Sequence, residues 1–393
     1  MTKPKLLIAG GGYAEIPLIE SAKAMGFYVI TTGYFAKERG HSHGDLYEPA
    51  DYSDKEQMLA LAQKHNISAI CSSCNDFSAI SCAFVAEKLG LPGYDSIENA
   101  HIIHHKDKFR QFCKEHSLSV PKAQGFSVII DAIESIDSFS FPVIIKPIDL
   151  SGGKGISVVK TNAEWEFAIQ NAFAISKAKK IVIEEFIEGS SHGFSALIQN
   201  GKVAFYFTDD EYYVPNEYWV SGTSSPGTIT ESEIKQYIDF SEKTVSILGL
   251  CDGLFHIQSI IREGKVYIIE VCRRPPGDLY IQFIKHATGF DFSKAIIQFI
   301  SGKMNDRILQ IHPQGFYARH CISSLKKGYI VKLQFDQTIA DTIIEEFRLW
   351  KADSYIDNYV SQKAVIVFMK YKSYDEMKQI SCNVYNYISI EMQ

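Results

Sequence analysis

Within the first hundred residues, short apolar runs alternate with stretches of helical period. "KLLIAG" gives way to "YAEIPLIESAKAMG", "YVITTG" repeats the first kind, and "KEQMLALAQKHN" is amphipathic. "ISAICSS" is again strand-like, and "SAISCAFVAEKLG" closes on Gly90. Runs that are apolar throughout need cover on both faces, and the intervening helices supply the crossovers. This alternation predicts a parallel sheet of Rossmann-like character over residues 1–100.

From about residue 101 the character changes. "HHKDKFRQFCKEHS" reads as a helix, and "FPVIIKPIDLSGGKGISVV" as two strands around a glycine-rich loop. "SHGFSALIQNGKVAFYFTDD" reads as a hairpin turning at Asn200-Gly201, and "GLFHIQSIIREGKVYIIEVCRRPPGD" as another turning at Glu263-Gly264. Residues 101–311 are therefore expected to form a mostly antiparallel sheet with flanking helices. Residues 312–393, with "AVIVFMKY" and a helix near "SYDEMKQI", read as a small α+β module. The fold class expected is α/β and α+β in three domains.

At 393 residues the chain is long enough for a well-buried core, and 46% hydrophobic with 22% charged residues is an ordinary globular balance. A net charge of -6, without blocks of lysine or arginine, argues against a nucleic-acid or anionic-membrane partner. No apolar run approaches the roughly 18 residues of a membrane span, and the N-terminus lacks the long apolar run of a secretory signal. The expectation is a cytoplasmic protein, with a homodimer as the assembly to consider.

Two weaker signals were weighed. Gly10, Gly11 and Gly12 follow the first strand, but Tyr13, Ala14 and Glu15 leave the dinucleotide fingerprint without its closing glycine. These glycines are read as a tight strand-to-helix turn facing a small ligand at the domain junction, with a nicotinamide dehydrogenase as a rival reading. Cys71 and Cys74 form a CxxC without a second pair, so reduced thiols are the reading for all eight cysteines.

Three pieces carry chemistry. Lys146, at the end of a strand, and Lys154, in the loop of Gly152, Gly153 and Gly155, read as a jaw for a polyanion. Glycines let backbone N–H groups approach phosphate oxygens, and lysine adds a point charge. The strand end Glu184, Glu185, Phe186, Ile187 can read a purine edge through its backbone, with an acidic side chain accepting the exocyclic amine. Gln258 and Glu270 face one another if their strands pair around Glu263-Gly264, and two side-chain oxygens there suit Mg²⁺. Arg273 and Arg274 follow; a guanidinium can neutralise transferring phosphoryl oxygens or fork onto a carboxylate.

Together, in this order and spacing, these pieces resemble the ATP-grasp superfamily, in the carboxylate–amine ligase branch related to L-amino-acid ligase, biotin carboxylase and carbamoyl-phosphate synthetase. The resemblance covers nearly the whole chain and implies a Rossmann-like first domain, a grasp domain with a mobile lid over roughly 120–185, and a small C-terminal domain. It implies ATP with Mg²⁺ or Mn²⁺, and small carboxylate and amine substrates joined through an acyl phosphate. By the same resemblance Lys106, with Lys108 as rival, contacts nucleotide phosphate, as do Lys146 and the "SGGKG" loop. Glu184 to Ile187 match the adenine-reading linker, His192 a ribose-contacting histidine, Glu270 the bridging metal glutamate and Arg274 the arginine of the "NPR" segment. Lys146, Lys154 and Arg274 are the implied catalytic residues. Two positions depart from the pattern: Gln258 stands where glutamate is common, and Cys272 where an asparagine completes the second metal shell. Soft sulfur suits Mg²⁺ poorly. A carboxylase or carbamate-forming enzyme, and a nucleotide-binding protein with a degenerate metal site, are the alternatives on the same scaffold. The tyrosine-rich segment "DDEYYVPNEYWVSGTSSPG" is read as bordering the acceptor pocket or as a plain surface connection.

Overall fold

The structure, a computed structural model, describes residues 3–150, 155–214, 217–351, 354–358 and 362–393. The first region runs β1 (Lys5–Ala9), α1 (Ile16–Ala24), β2 (Tyr28–Gly33), β3 (Leu46–Pro49), α2 (Lys55–His65), β4 (Ala69–Ser72) and α3 (Asp76–Leu89). Its four strands pair in parallel in the order β3-β2-β1-β4, as the alternation predicts. Local chemistry sets the helix ends. The Asp54 carboxylate accepts the amides of Glu56 and Gln57 at the start of α2, and Asn66 and Gly90 turn left-handed to end α2 and α3.

The three glycines after β1 serve internal packing. A Cβ on Gly11 would lie 2.0 Å from the His41 ring, and one on Gly40 would lie 2.4 Å from Gly12 O. His41, buried beneath this turn, bonds Thr31 Oγ1 at 2.9 Å. The turn thus leaves no Cβ-sized room because protein side chains, not a ligand, occupy it, and none of Gly10 to Gly12 lines the main cavity.

Helices α4 (Ile97–His104) and α5 (Lys106–Glu115) lead to a second, smaller sheet. It is built from β5 (Ala123–Phe126), α6 (Ile129–Glu134), β6 (Val143–Pro147), β7 (Ser157–Val159), α7 (Asn162–Ile175) and β8 (Ile181–Glu185). The strand order is β5-β8-β6-β7, and β6 and β7 form the antiparallel pair expected around the glycine loop. A capping box of Thr161 and Glu164 starts α7, whose Trp165, Ile169 and Ala172 pack on this sheet.

The third region contains β9 (Ser190–Gln199), β10 (Lys202–Tyr212), β11 (Gly222–Ser225), α8 (Glu231–Leu248), β12 (Gly253–Arg262), β13 (Lys265–Cys272), α9 (Tyr280–Thr288) and α10 (Phe292–Ile300). Both predicted hairpins form: Asn200 (φ 55°) and Gly201 (φ 70°) turn one, Glu263 (φ 52°) and Gly264 (φ 76°) the other. Successive positive φ values match the right-handed twist of the flanking strands.

The chain ends with β14 (Phe316–Ser323), β15 (Gly328–Phe335), β16 (Ile343–Arg348), β17 (Tyr355–Ile356), β18 (Lys363–Tyr371), α11 (Tyr374–Cys382) and β19 (Ile388–Met392). Strand β14 pairs with β11, so the stretch after residue 311 continues the preceding sheet edge to edge. The result is an eight-stranded sheet in the order β13-β12-β9-β10-β11-β14-β18-β16, with β17-β15-β19 as a small separate sheet. Among the described residues no helix is long and apolar enough to cross a membrane.

One close approach at the middle of the large sheet is specified by glycine. Gly193 on β9 stands opposite Asp209 on β10, and a Cβ there would lie 2.5 Å from Asp209 Oδ1. Asp209 is fully buried and bonded to the Tyr280 hydroxyl, so it cannot swing away freely. Gly193→Ala should therefore cost about 1–3 kcal/mol through overpacking, read as a fall in the denaturant midpoint at unchanged slope; wild-type stability would show that Asp209 moves without penalty.

Candidate functional site

A cavity of about 760 Å³ lies between the small sheet and one face of the large sheet. Ile144, Lys146 and Val158 line it from β6 and β7, and Glu185, Phe186 and Ile187 from the end of β8. Glu211, Gln258 and Glu270 line the opposite side. The aliphatic and aromatic members make a slot suited to a flat ring, and the charged ones converge at its far end.

On the small sheet the charges form a buried triangle. Glu184, 1% exposed, has Lys146 Nζ 2.7 Å from one oxygen and Arg110 Nε 2.8 Å from the other. Burial opposes the carboxylate's charge, but the two cations prevail and hold it down to about 2. Burial, reinforced by Arg110, pulls the Lys146 ammonium below its ordinary value despite Glu184. Both Glu184 oxygens are therefore engaged. Of the two acidic side chains expected to offer an acceptor to a purine amine, Glu184 is thus committed to its cations in a positioning role, which leaves Glu185.

Backbone engagement also narrows the reading of the linker. The Glu185 N–H donates to Lys122 O at 2.8 Å and the Phe186 N–H to Pro142 O at 3.2 Å. Glu185 itself lines the cavity, and its carboxylate lies 3.5 Å from Arg262.

His192 departs further from expectation. Ser191 lines the cavity, and side chains alternate along a strand, so His192 turns to the other face. There it is 2% exposed, with Nδ1 2.9 Å from Asp210 and Nε2 2.7 Å from Ser190 Oγ. It is not placed to touch a ribose in the cavity.

Below the slot, the register sets Gln258 directly opposite Glu270. Lys106 Nζ lies 3.4 Å from Glu270 Oε1 and 3.4 Å from Leu150 O. Burial works against the Lys106 ammonium, but Glu270 and Asp76 outweigh it and hold it above the usual lysine range. Its rival Lys108 is exposed and lies outside the cavity. Gln258 Nε2 donates to Glu211 Oε1 at 3.1 Å, which leaves the amide oxygen to accept a hydrogen bond or ligate a cation. Cys272 lines the cavity; burial pushes its thiol up to about 12, and its Sγ lies 3.5 Å from Arg274 O. Its soft sulfur suits Mg²⁺ poorly.

Among the described residues no group of three or more His, Cys, Asp or Glu is arranged around a cation. Glu270 and Gln258 instead offer two hard oxygens on adjacent strands. That set fits Mg²⁺, which is held by one or two protein carboxylates and completes its shell with substrate phosphates and water.

Arg274 is tied to the first domain. Its Nε lies 2.9 Å from Asp76, and Asp76 also bonds His104 Nδ1 at 3.0 Å. Arg273 is a structural residue: it pairs with Asp95 at 2.9 Å and donates to the carbonyls of Cys251 and Leu254. Of the glycine loop, Gly155 is described, at φ 71° with Pro147 2.9 Å from a Cβ built on it. Gly152, Gly153 and Lys154 lie outside the described residues.

The sequence reading did not find Arg110, Asp76, Glu211, Asp278, Arg319 or Lys363. For Arg110 a signal existed: it falls on the stripe of Phe109, Phe112 and Cys113, where a charge must be paired. Arg319 and Lys363 reach the cavity from β14 and β18, and Lys363 is paired to Asp278. Asp278 and Leu279 both adopt left-handed backbone, at φ 56° each, as the chain leaves β13. Such strain is retained where surrounding contacts enforce it.

The triangle should make the stability of the fold sensitive to acid. A carboxylate held below its ordinary 4.5 contributes stability that is complete above that pH and is lost as pH falls towards about 2. Glu184→Gln should remove that pH dependence and cost about 3–5 kcal/mol by leaving two buried cations short of a partner. Unfolding followed between pH 5 and pH 2.5 checks this; a variant as stable as wild type at pH 7 would refute it.

Comparison with known proteins agrees with this architecture. Residues 103–278 match the ATP-grasp domain. The carbamoyl phosphate synthase large chain of Thermoanaerobacter sp. (strain X514) is 27% identical over 212 residues, covering 53% of this chain and 19% of that protein. The chain thus spans about a fifth to a quarter of the length of such relatives. The formate-dependent phosphoribosylglycinamide formyltransferase of Wolinella succinogenes is 24% identical, over 69% of this chain and 70% of that protein. Among solved structures, the L-amino acid ligase of Bacillus licheniformis superposes with a TM-score of 0.82 at 18% identity, with both chains covered fully. The phosphoribosylglycinamide synthetase of Anaerococcus prevotii gives 0.78 at 19%, again over both full chains. The match to an ATP-grasp domain thus covers residues 103–278, and the whole chain shares the fold of these two solved structures.

Proposed function

We propose that the protein joins a small carboxylate to an amine at the expense of ATP, through an acyl phosphate. The observation that carries this reading is the facing of charges across the cavity. Lys106 and Lys146 stand above, and Glu270 with Gln258 below, at the end of an apolar slot. The slot takes the adenine, and the charged end takes the triphosphate. A divalent cation held by Glu270 and the Gln258 amide oxygen would neutralise charge on the phosphates.

In this reading a carboxylate oxygen of the first substrate attacks the γ-phosphorus, forming an acyl phosphate and releasing ADP. The unprotonated amine of the second substrate then attacks the acyl carbon. Phosphate leaves with the bonding electrons, and the nitrogen sheds its proton. Phosphoryl transfer is governed by positioning and electrostatics, and this chain's part is to supply both. Glu184 and Arg110 fix Lys146 in place, and Asp76 fixes Arg274, whose guanidinium borders the cavity and would hold the reacting carboxylate. Cover from the small sheet would keep water from hydrolysing the acyl phosphate.

Carbamate formation on the same scaffold is the second reading, supported by the carbamoyl phosphate synthase relatives. Bicarbonate-dependent ADP release without an amino acid would favour it.

Lys146→Ala and Glu270→Ala should each lower ADP release, measured with Mg²⁺ or Mn²⁺ and pairs of amino acids, by at least about 100-fold. Both should stay folded, since Glu184 keeps Arg110 and Glu270 is partly exposed. Wild-type turnover by either variant would refute the site, and a flat calorimetric trace with adenine nucleotides and Mg²⁺ would refute the nucleotide.

A further inference from the structure

Three polar side chains stand in line on the large sheet beside the proposed metal end. Glu211 on β10 is directly opposite Thr223 on β11, and Thr223 is directly opposite Arg319 on β14. Opposed residues of antiparallel strands share a face, and all three line the cavity.

Their hydrogen bonding is incomplete in a consistent way. Thr223 is 1% exposed and its Oγ1 has no partner; Arg319 is 3% exposed and its Nε has none. Arg319 Nη1 donates to the carbonyls of Gly277, at 3.2 Å, and Asp278, at 2.8 Å. Among the described residues Arg319 makes no ion pair. Asp209 on β10 is bonded to Tyr280, and burial together with Glu211 keeps its carboxyl well above the usual range. It therefore does not neutralise Arg319. The Asp278 carboxylate also acts on Arg319, but it is ion-paired with Lys363 and accepts from the Tyr13 hydroxyl, so the guanidinium Nε keeps no acceptor. A buried N–H without an acceptor is costly, and so is a buried hydroxyl without a partner.

The other end of the row carries the opposite character. Glu211 accepts from Gln258 Nε2 at 3.1 Å and from the Tyr213 hydroxyl at 2.7 Å, both neutral donors. Among the described residues no cation is ion-paired with it, burial raises its carboxyl, and it adjoins Gln258 at the end assigned to the phosphates.

We propose that this row is the acceptor subsite, and that it takes a small zwitterion with its carboxylate on Arg319 and Thr223 and its ammonium on Glu211. The assignment rests on the ligase reading and names the class of its amine substrate. The two ends present opposite charges on one face of the sheet, which a molecule carrying both an ammonium and a carboxylate complements. The amine then points at the Gln258–Glu270 end, where an acyl group would form, and the carboxylate is held away from it.

Calorimetry tests this directly. The protein is titrated, with and without Mg·ADP, with each standard L-amino acid, β-alanine and γ-aminobutyrate, and then with the carboxamide and N-acetyl derivative of any that bind. At least one amino acid should bind, and each derivative should bind at least about tenfold more weakly. Arg319→Met should weaken that amino acid by at least about tenfold while Mg·ADP affinity is kept. Thr223→Val, which removes only an unpartnered hydroxyl, should weaken it while leaving the melting temperature equal or higher; a purely structural role would not give that combination. Three results would each overturn the assignment: no amino acid binding in either condition, a carboxamide binding as well as the acid, or wild-type affinity in both Thr223→Val and Arg319→Met. If Mg·ADP fails to bind but an amino acid does, the ligase reading falls and the subsite stands.

Discussion

A single guanidinium joins the two sheets that face each other across this site. Arg110 lies 2.8 Å from Glu184 on the small sheet and donates from Nη2 to Ile269 O, at 2.7 Å, on the large one. Its own helix, α5, begins at Lys106. The roof, the floor next to Glu270 and the lysine that faces Glu270 are thus referred to one buried group. Arginine suits the task because its planar fork serves two directions and its charge survives burial. The arrangement gains less in stability than in geometry, since desolvation offsets much of a buried pair's attraction. Its effect is to hold Lys146 and Lys106 at set positions over the same cavity.

The large sheet supplies the complementary constraint. Because β14 pairs with β11, residues far apart in the chain share one pleated face. Glu270, Gln258, Glu211, Thr223 and Arg319 come from five different strands and still line one cavity. Pleating makes their spacing regular, which loops alone would not achieve. Gly193 belongs to this logic too: without a side chain there, Asp209 fits beneath the strands and meets Tyr280.

What the sequence made legible followed the range of the interactions involved. Hairpins turned by Asn200-Gly201 and Glu263-Gly264 are decided by neighbouring residues, and both form. The pairing of Gln258 with Glu270 followed from one of those turns. His192 lay in a correctly read strand, but its face depends on the phase of alternation, which packing against Tyr237 and its neighbours on α8 sets from outside. Glu184 looked like an available carboxylate because Arg110, more than seventy positions earlier, was not yet beside it. Arg319 and Thr223 were invisible for the same reason. Their meeting depends on which non-sequential strands become neighbours, and nothing local to either residue records that.

The cavity's charges are arranged for exchange. Lys106 faces Glu270, Lys146 faces Glu184, Lys363 faces Asp278 and Arg274 faces Asp76. These pairs differ in how readily they part. Glu184 is fully enclosed and held by two cations, so Lys146 stays in place whatever enters. Glu270 keeps a third of its side chain exposed and meets Lys106 only at 3.4 Å. A phosphate group offers Lys106 a better partner, and a divalent cation offers one to Glu270, so the two replacements reinforce each other. Either alone would strand one member of the pair in a half-buried site. On the proposed reading nucleotide and metal bind cooperatively, and the weak pair is where that coupling would originate.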